Sequence, residues 1–396
     1  MTQELVEETN QLHEMSDFSD LLERLHAISP VLKANGEANE AGRQLTDEVT
    51  AALHESGIFR LGIPRSVGGY EASPRQVIEA IETVAYADAS AGWVVMALQM
   101  ITGTTAAYLG AEAIGTIFPD GGYSLIAGQG TRMGKATEVE GGYRLTGSWS
   151  FASGMPEASW IHTAAIVEET GGALIFTLPK EQATLIDNWD VMGLKATGSI
   201  DYVCEDVFVP TAFTYTATTM EPLNGGALYK MGLANMSGIN HAGWALGVAR
   251  RLLDEMRELA QKKTGSPGAG VDTEQYYAEY AQAEAKLRSA RAFVFEVWSG
   301  NEVTLGRGEK LTREQETLTR LALNNATWSA HDVCMTVYKW AATAALRSGD
   351  LQRFFRDMHA GTQHVTSGPV VLQNCGKVLT GLAEDSQWSY FNLVKK

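Results

Sequence analysis

The residues most able to do chemistry lie near the end of the chain, in Arg356-Asp357-Met358-His359-Ala360-Gly361-Thr362-Gln363-His364, followed by no acidic residue until Glu384. An imidazole there, with an ordinary pKa near 6.5, can take or give a proton near neutral pH. A carboxylate in its place would bring charge and water to the same point. His364 is therefore the leading catalytic candidate. His359 stands five residues earlier, and on a continuing helix it would project about 140° away, which predicts a structural role. Arg356 and Asp357 are expected to pair structurally or to anchor a helix start. A second imidazole, His241, sits in the acid-free run Asn240-His241-Ala242-Gly243-Trp244. Small hydroxyls form a third group: Ser153 in Gly147-Ser148-Trp149-Ser150-Phe151-Ala152-Ser153-Gly154, and Thr197 and Ser199 in Met192-Gly193-Leu194-Lys195-Ala196-Thr197-Gly198-Ser199. Such hydroxyls can donate or accept beside a flat ligand without crowding it.

Three blocks of sequence must position these groups. From about Phe18 to Gly115 apolar residues recur at helical spacing, with Leu21, Leu22, Leu25 and Ile28, then Val49 and Leu53, then Val77, Ile78, Ile81, Val84 and Ala85, which predicts four to six helices. From Tyr123 to Phe213 the pattern changes to short runs such as Trp160–Val167, Ala173–Leu178 and Asp201–Val209, with Gly141-Gly142 and Gly171-Gly172 as hairpin turns. A small barrel or sandwich follows. Beyond Leu228 long helical segments return around 243–260, 275–302 and 314–346, and a last one starts near Asp357. Four such helices on short loops read as an antiparallel bundle. The fold class is α+β, with a helical region over 1–117, a β region over 118–222 and a helical bundle over 223–396.

Composition narrows the partners. With 396 residues, several packed regions are expected, and a net charge of −16 argues against nucleic acid or an anionic membrane surface. Cys204, Cys334 and Cys375 are far apart without metal-type spacing, so three buried, reduced thiols and no metal are expected. Met1–Glu8 lacks the basic start and apolar run of a leader, and no run of 18 apolar residues occurs. A cytoplasmic location is the expectation.

The helical, β, helical order resembles the acyl-CoA dehydrogenase fold almost end to end. The motifs that carry the resemblance are Gly57-Ile58-Phe59-Arg60-Leu61-Gly62-Ile63-Pro64 with Gly68-Gly69, then Ala87-Asp88-Ala89-Ser90-Ala91-Gly92-Trp93, the two hydroxyl-bearing motifs above, Glu205-Asp206-Val207-Phe208-Val209-Pro210, and Arg356-Asp357. Both positions at which dehydrogenases of the family hold their glutamate base lack an acid here. His364 instead resembles the flavin-dependent monooxygenase branch, the oxygenase components of two-component phenol, steroid-phenol, indole and thiophene hydroxylating systems. The resemblance implies reduced FAD or FMN from a separate NAD(P)H-dependent reductase, O2 as cosubstrate, a C4a-hydroperoxide as oxygen donor, and a homotetramer. It implies that Ser153 bonds near flavin N5 and that Trp149, Phe151, Gly154, Thr197 and Ser199 border the ring. Arginine is usual in relatives where Lys195 stands, so Lys195 reads as solvated surface. Ala341-Ala342 replaces a Gly-Gly pair that grips the cofactor pyrophosphate in the dehydrogenase branch. Trp93, Gln99, His241 and Trp244 are substrate-pocket candidates, and the lack of a histidine in Val94–Ile101 favours a neutral ring such as indole over a phenolate. A flavin dehydrogenase with its base elsewhere is the alternative.

Overall fold

The computed structural model describes residues 3–119 and 122–396, with side chains from Phe18 onward. Met1 and Thr2, which open the segment read above for leader character, lie outside the described residues.

The first region holds α1 (Gln3–Ala34), α2 (Gly36–Gly42), α3 (Asp47–Ser56), α4 (Pro74–Ala87), α5 (Ala89–Tyr108) and α6 (Ala111–Ile117). Their starts are written locally. The Thr46 hydroxyl accepts from Val49 N at α3, Ser73 and Gln76 form a reciprocal capping box before Pro74 at α4, and the Asp88 carboxylate accepts from Ala91 N at α5. Helix α5 has no charged residue and is buried along almost its whole length. A helix apolar all round must be covered all round, and α4, a long helix described below and the first strand supply that cover.

The middle region is one seven-stranded sheet of β1 (Ile126–Val139), β2 (Gly142–Ala152), β3 (Trp160–Val167), β4 (Ala173–Pro179), β5 (Thr184–Ile186), β6 (Ile200–Pro210) and β7 (Thr214–Thr216), in the order β5-β6-β2-β1-β3-β4-β7. Strands β1 and β3 are parallel and the other neighbours antiparallel. The glycine turns fall where expected, with Gly141 and Gly171 both at positive φ. Two of the three breaks in the ladder bear on the site, the third lying between Leu145 and Gly147 of β2 against β6. Strand β1 shifts register between Gln129 and Met133, and β2 shifts against β6 between Trp149 and Ala152. Bulges of this kind re-aim side chains next to sites, and both breaks border the cavities described below.

The last region departs from the expected four long helices. Three are long, α7 (Gly232–Lys263), α8 (Glu274–Gly306) and α9 (Arg313–Ala341), but the fourth is split into α10 (Asp350–Gly361) and α11 (Pro369–Leu379). Gly368-Pro369 explains the restart, since Pro suits the first turn of a helix and disfavours helix before it. A short hairpin of β8 (Ser386–Ser389) and β9 (Asn392–Lys395), unforeseen from the sequence, closes the described chain. All three cysteines are buried and free, as expected. Among the described residues no helix is long and apolar enough to cross a membrane.

Candidate active site

His364 sits in the break between α10 and α11 with extended backbone (φ −68°, ψ 145°). Its Nδ1 lies 2.9 Å from the Thr366 hydroxyl and 3.4 Å from the Thr366 backbone N–H. An N–H can only donate, so Nδ1 is the acceptor, and the ring proton of the neutral imidazole resides on Nε2. His364 therefore offers an N–H, not a lone pair, on its free edge. Burial pushes its pKa down to about 4, which keeps it neutral.

Helix α10 is held in place by the residues before His364. Arg356 forks onto the Glu40 carboxylate and donates to the Met192 carbonyl, 2.9 Å away. Asp357 accepts from Leu194 N, and burial pushes its pKa up to about 7. The Arg-Asp pair thus binds two partners on either side and does not pair with itself. Gly193 makes the approach possible, because a Cβ there would stand 2.1 Å from the Arg356 carbonyl oxygen. Lys195, read as surface, borders a polar cleft with Glu40, Arg43 and Arg353.

Two cavities meet at His364. The outer one, of about 760 Å³, runs between the 189–199 loop, α9 and the end of α10, and the inner one, of about 150 Å³, runs among α5, α7 and β1. Trp93, Gln129, Thr131, Phe151, Ser153, His364 and Val365 line both. Trp93 Nε1 donates to Ser153 Oγ at 3.0 Å; Ser153 Oγ lies 2.7 Å from Ser199 Oγ, which lies 2.6 Å from Thr197 Oγ1. Thr197 donates onward to the Leu194 carbonyl at 2.8 Å. Phe151, at φ 66° and 67% exposed, is a left-handed aromatic at the cavity mouth. The bulge of β2 that strains it also turns Ser153 inward. The described lining residues of both cavities include no Asp or Glu, and those of the inner cavity include no Lys or Arg.

The structure redistributes several expected roles. His241 and Trp93 line the inner cavity, with Trp93 edge-on to both His241 and His364, its ring centroid 5.1 and 5.8 Å from theirs. Trp149 does not border a cavity. It is fully buried in the β region, donates to the Arg132 and Ala164 carbonyls and stacks on Tyr202. Trp244 packs beneath Gly361 and donates to the Ala89 carbonyl, so it supports the end of α10 without lining the pocket. Gln99 lies one layer back, donating to Asn240, which is the residue that faces the cavity. Gly154 stays at positive φ behind Ser153 and bonds the Thr197 carbonyl through its N–H. His359 was read as remote from His364, yet both line the outer cavity. The helical projection fails because α10 ends at Gly361. His359 Nε2 lies 3.3 Å from His331 Nε2. Neither His331 nor the inner-cavity residues His162, Ser237 and Tyr390 carried a recognisable sequence signal, since each is an isolated residue in an ordinary element.

Comparison with known proteins agrees with this arrangement. Residues 239–368 match the family described as acyl-CoA dehydrogenase, C-terminal domain. Indole-3-acetate monooxygenase of Pseudomonas putida is 31% identical over 350 residues, covering 86% of this chain and 88% of that protein. The chain belongs to the flavin-dependent monooxygenase branch of the acyl-CoA dehydrogenase superfamily. Another of these monooxygenases, the oxygenase subunit HsaA of Rhodococcus jostii (strain RHA1), is 29% identical over 366 residues, covering 88% of this chain and 94% of that one. The crystal structure of 3-HSA hydroxylase from Rhodococcus sp. RHA1 superposes with a TM-score of 0.86 at 28% identity, over 92% of this chain and 97% of that chain.

For a flavin-dependent monooxygenase the outer cavity has suitable donors and walls. Trp93, Phe151, Trp189 and Trp328 give it aromatic sides, and Ser153, Thr197 and Ser199 give it directed hydroxyls, as a flat, mostly apolar heterocycle with a polar edge requires. At the position of the missing Gly-Gly pair, Ala342 still adopts φ 50° and ψ −129°.

Proposed function

We propose that this chain is the oxygenase component of a two-component flavin-dependent monooxygenase, which takes reduced FAD or FMN from a separate NAD(P)H-dependent reductase and inserts one oxygen atom of O2 into a small neutral aromatic. The observation that carries the reading is the position of His364, at the seam of a ring-sized cavity and a small charge-free one, with its N–H free. Trp93, Phe151, Ser153, Thr197 and Ser199 of the outer cavity would hold the reduced flavin, which when bound would supply the electrons and activate O2. The protein's residues hold and shield. Ser153, fed by Trp93 and backed by Ser199, fixes one polar edge of the ring. His364 donates a hydrogen bond at the boundary between cofactor and substrate, where a neutral N–H steadies developing negative charge on oxygen without importing a cation or water. His241, stacked on His364, holds that ring in register.

The inner cavity defines the substrate class. Met96, Met100, Ile101 and Leu233 give apolar walls, and Ser237, Asn240, His241 and His162 give neutral polar contacts. A substrate carboxylate would find no cation among the described lining residues, and a buried, unpaired charge is costly. Indole-like heterocycles fit this chemistry best. An acyl-CoA dehydrogenase reading needs a carboxylate across the substrate from the ring, and neither cavity's described lining offers one.

The test is anaerobic mixing of the protein with reduced FAD or FMN, followed by oxygenated buffer, with absorbance recorded with and without indole. A protein-bound oxygen adduct that outlives free reduced flavin, with hydroxylated product when indole is present, is the expected result. Reoxidation at the free-flavin rate with no product would end this reading.

A further inference from the structure

The hairpin β8–β9 has no place in the chemistry above, yet its turn reaches the inner cavity: Tyr390 and Phe391 line it, together with the α5 residues Met96, Ala97 and Met100. The turn is held by unusual means. Tyr390 takes a left-handed conformation, φ 51°, which a bulky residue adopts only when its surroundings impose it. Arg320 of α9, 3% exposed, donates to the Tyr390 carbonyl through Nε at 2.9 Å and Nη2 at 2.6 Å, and to Asn235 Oδ1 through Nη1 at 3.1 Å. The same guanidinium lies over the Trp388 ring, 4.5 Å from its centroid. Thr317, one turn earlier on α9, accepts from Trp388 Nε1 at 2.9 Å, and Arg313, a turn earlier again, donates to the carbonyls of Ala383 and Glu384. Tyr390 itself donates to the Ala217 carbonyl at 3.0 Å. One face of α9 is therefore turned to the hairpin, and its buried arginine gives the Tyr390 carbonyl two hydrogen bonds while Nη1 also donates to the Glu316 carbonyl at 3.0 Å.

Burying a guanidinium is costly unless its donors are satisfied, and a hairpin of two short strands is not stable by itself. The outcome of both constraints is a turn held firmly against the inner cavity. We infer that Phe391 and Tyr390 form the end wall that sets how long a ring system the cavity accepts, and that Arg320 is the positioning residue for that wall. The inference rests on the inner cavity being the substrate site. It predicts a size limit at about two fused rings, with rejection of linear or angular three-ring heteroaromatics.

The test is direct binding to the whole protein, without flavin turnover, of indole and carbazole as two- and three-ring probes, by calorimetric titration. In the wild type indole is expected to bind and carbazole to bind at least tenfold more weakly. Phe391→Ala should reverse or abolish that ratio, and Phe391→Trp should weaken indole by tenfold or more. Arg320→Met should shift the ratio in the same direction as Phe391→Ala, a change that general loss of stability would not produce. If Phe391→Ala unfolds, Phe391→Leu, which keeps an apolar contact but shortens the wall, should still move the ratio toward carbazole. An unchanged ratio in the folded Phe391 variants overturns the inference. Because binding is read without oxygen or reduced flavin, that failure is separate from failure of the monooxygenase reading, which is judged on the oxygen adduct and the product.

Discussion

His241 and His364 stack their imidazole rings with centroids 3.9 Å apart and planes 32° apart, one ring from the middle of α7 and the other from the break after α10. His241 is buried and His364 half-buried, and desolvation lowers both pKa values, with His364 beside it adding to the lowering at His241. Two neutral rings in contact are compatible; a proton on either would place an unscreened charge against the other. The pair therefore works as a neutral donor surface.

Stability should depend on this neutrality. The folded pKa of His364, about 4, lies below its ordinary 6.5, so the unfolded chain binds the proton first, and stability present above pH 6.5 is lost as pH falls toward 4. Asp357, raised to about 7, acts in the opposite sense, so the comparison must be between variants. Urea unfolding at pH 7 and pH 5 should show His364→Gln losing about 2 kcal/mol less than the wild type over that interval. Equal losses in the two proteins would contradict a buried neutral imidazole.

Removing the donor should cost chemistry more than binding. His364→Ala is expected to lower product formation by roughly 100-fold or more, the usual range for a lost proton-handling group, while reduced flavin binds within a few-fold of wild type. Stopped-flow oxidation and product analysis together check it. A parallel loss of flavin affinity would assign His364 to cofactor binding.

Ser153 accepts the Trp93 indole N–H as well as bordering the outer cavity. Ser153→Ala leaves that N–H without its partner, a cost of about 1–3 kcal/mol, and should also shorten the life of the oxygen adduct. Thermal unfolding and adduct decay should both change; a stable variant with normal decay would remove Ser153 from the site.

Gly193 and Gly376 make a paired test of close packing. A Cβ at Gly193 meets the Arg356 carbonyl at 2.1 Å, whereas one at Gly376 meets nothing within 4 Å. Gly193→Ala should destabilise by about 1–3 kcal/mol or more and displace the start of the His364 segment. Gly376→Ala, inside α11, should be neutral or stabilising by up to about 1 kcal/mol. Similar melting temperatures for the two variants would show that α10 does not rest on the 192–194 backbone.

Much of the fold was legible because its signals are local. The helical spacing of Leu21, Leu25 and Ile28, the glycine turns at Gly141 and Gly171, and the apolar run Trp160–Val167 each depend on neighbours in sequence. So do the motifs around Ser153 and His364, whose residues line the seam of the two cavities. The errors share one cause. Trp149, Gln99 and Trp244 were placed by residue type and neighbourhood, but which side of an element faces a cavity depends on what packs against the other side.

The amino-acid sequence alone determined the order of helical and β regions, the absence of an acid between Asp357 and Glu384 and the presence of His364, because each follows from residue identity and short-range spacing. Only the tertiary structure decided that the last helix breaks before His364, that His241 packs on it, that His359 and His331 share the outer cavity, and that a distant hairpin borders the inner one. These outcomes are contacts between elements far apart in the chain, set by how buried surfaces fill space together, and no local pattern encodes them.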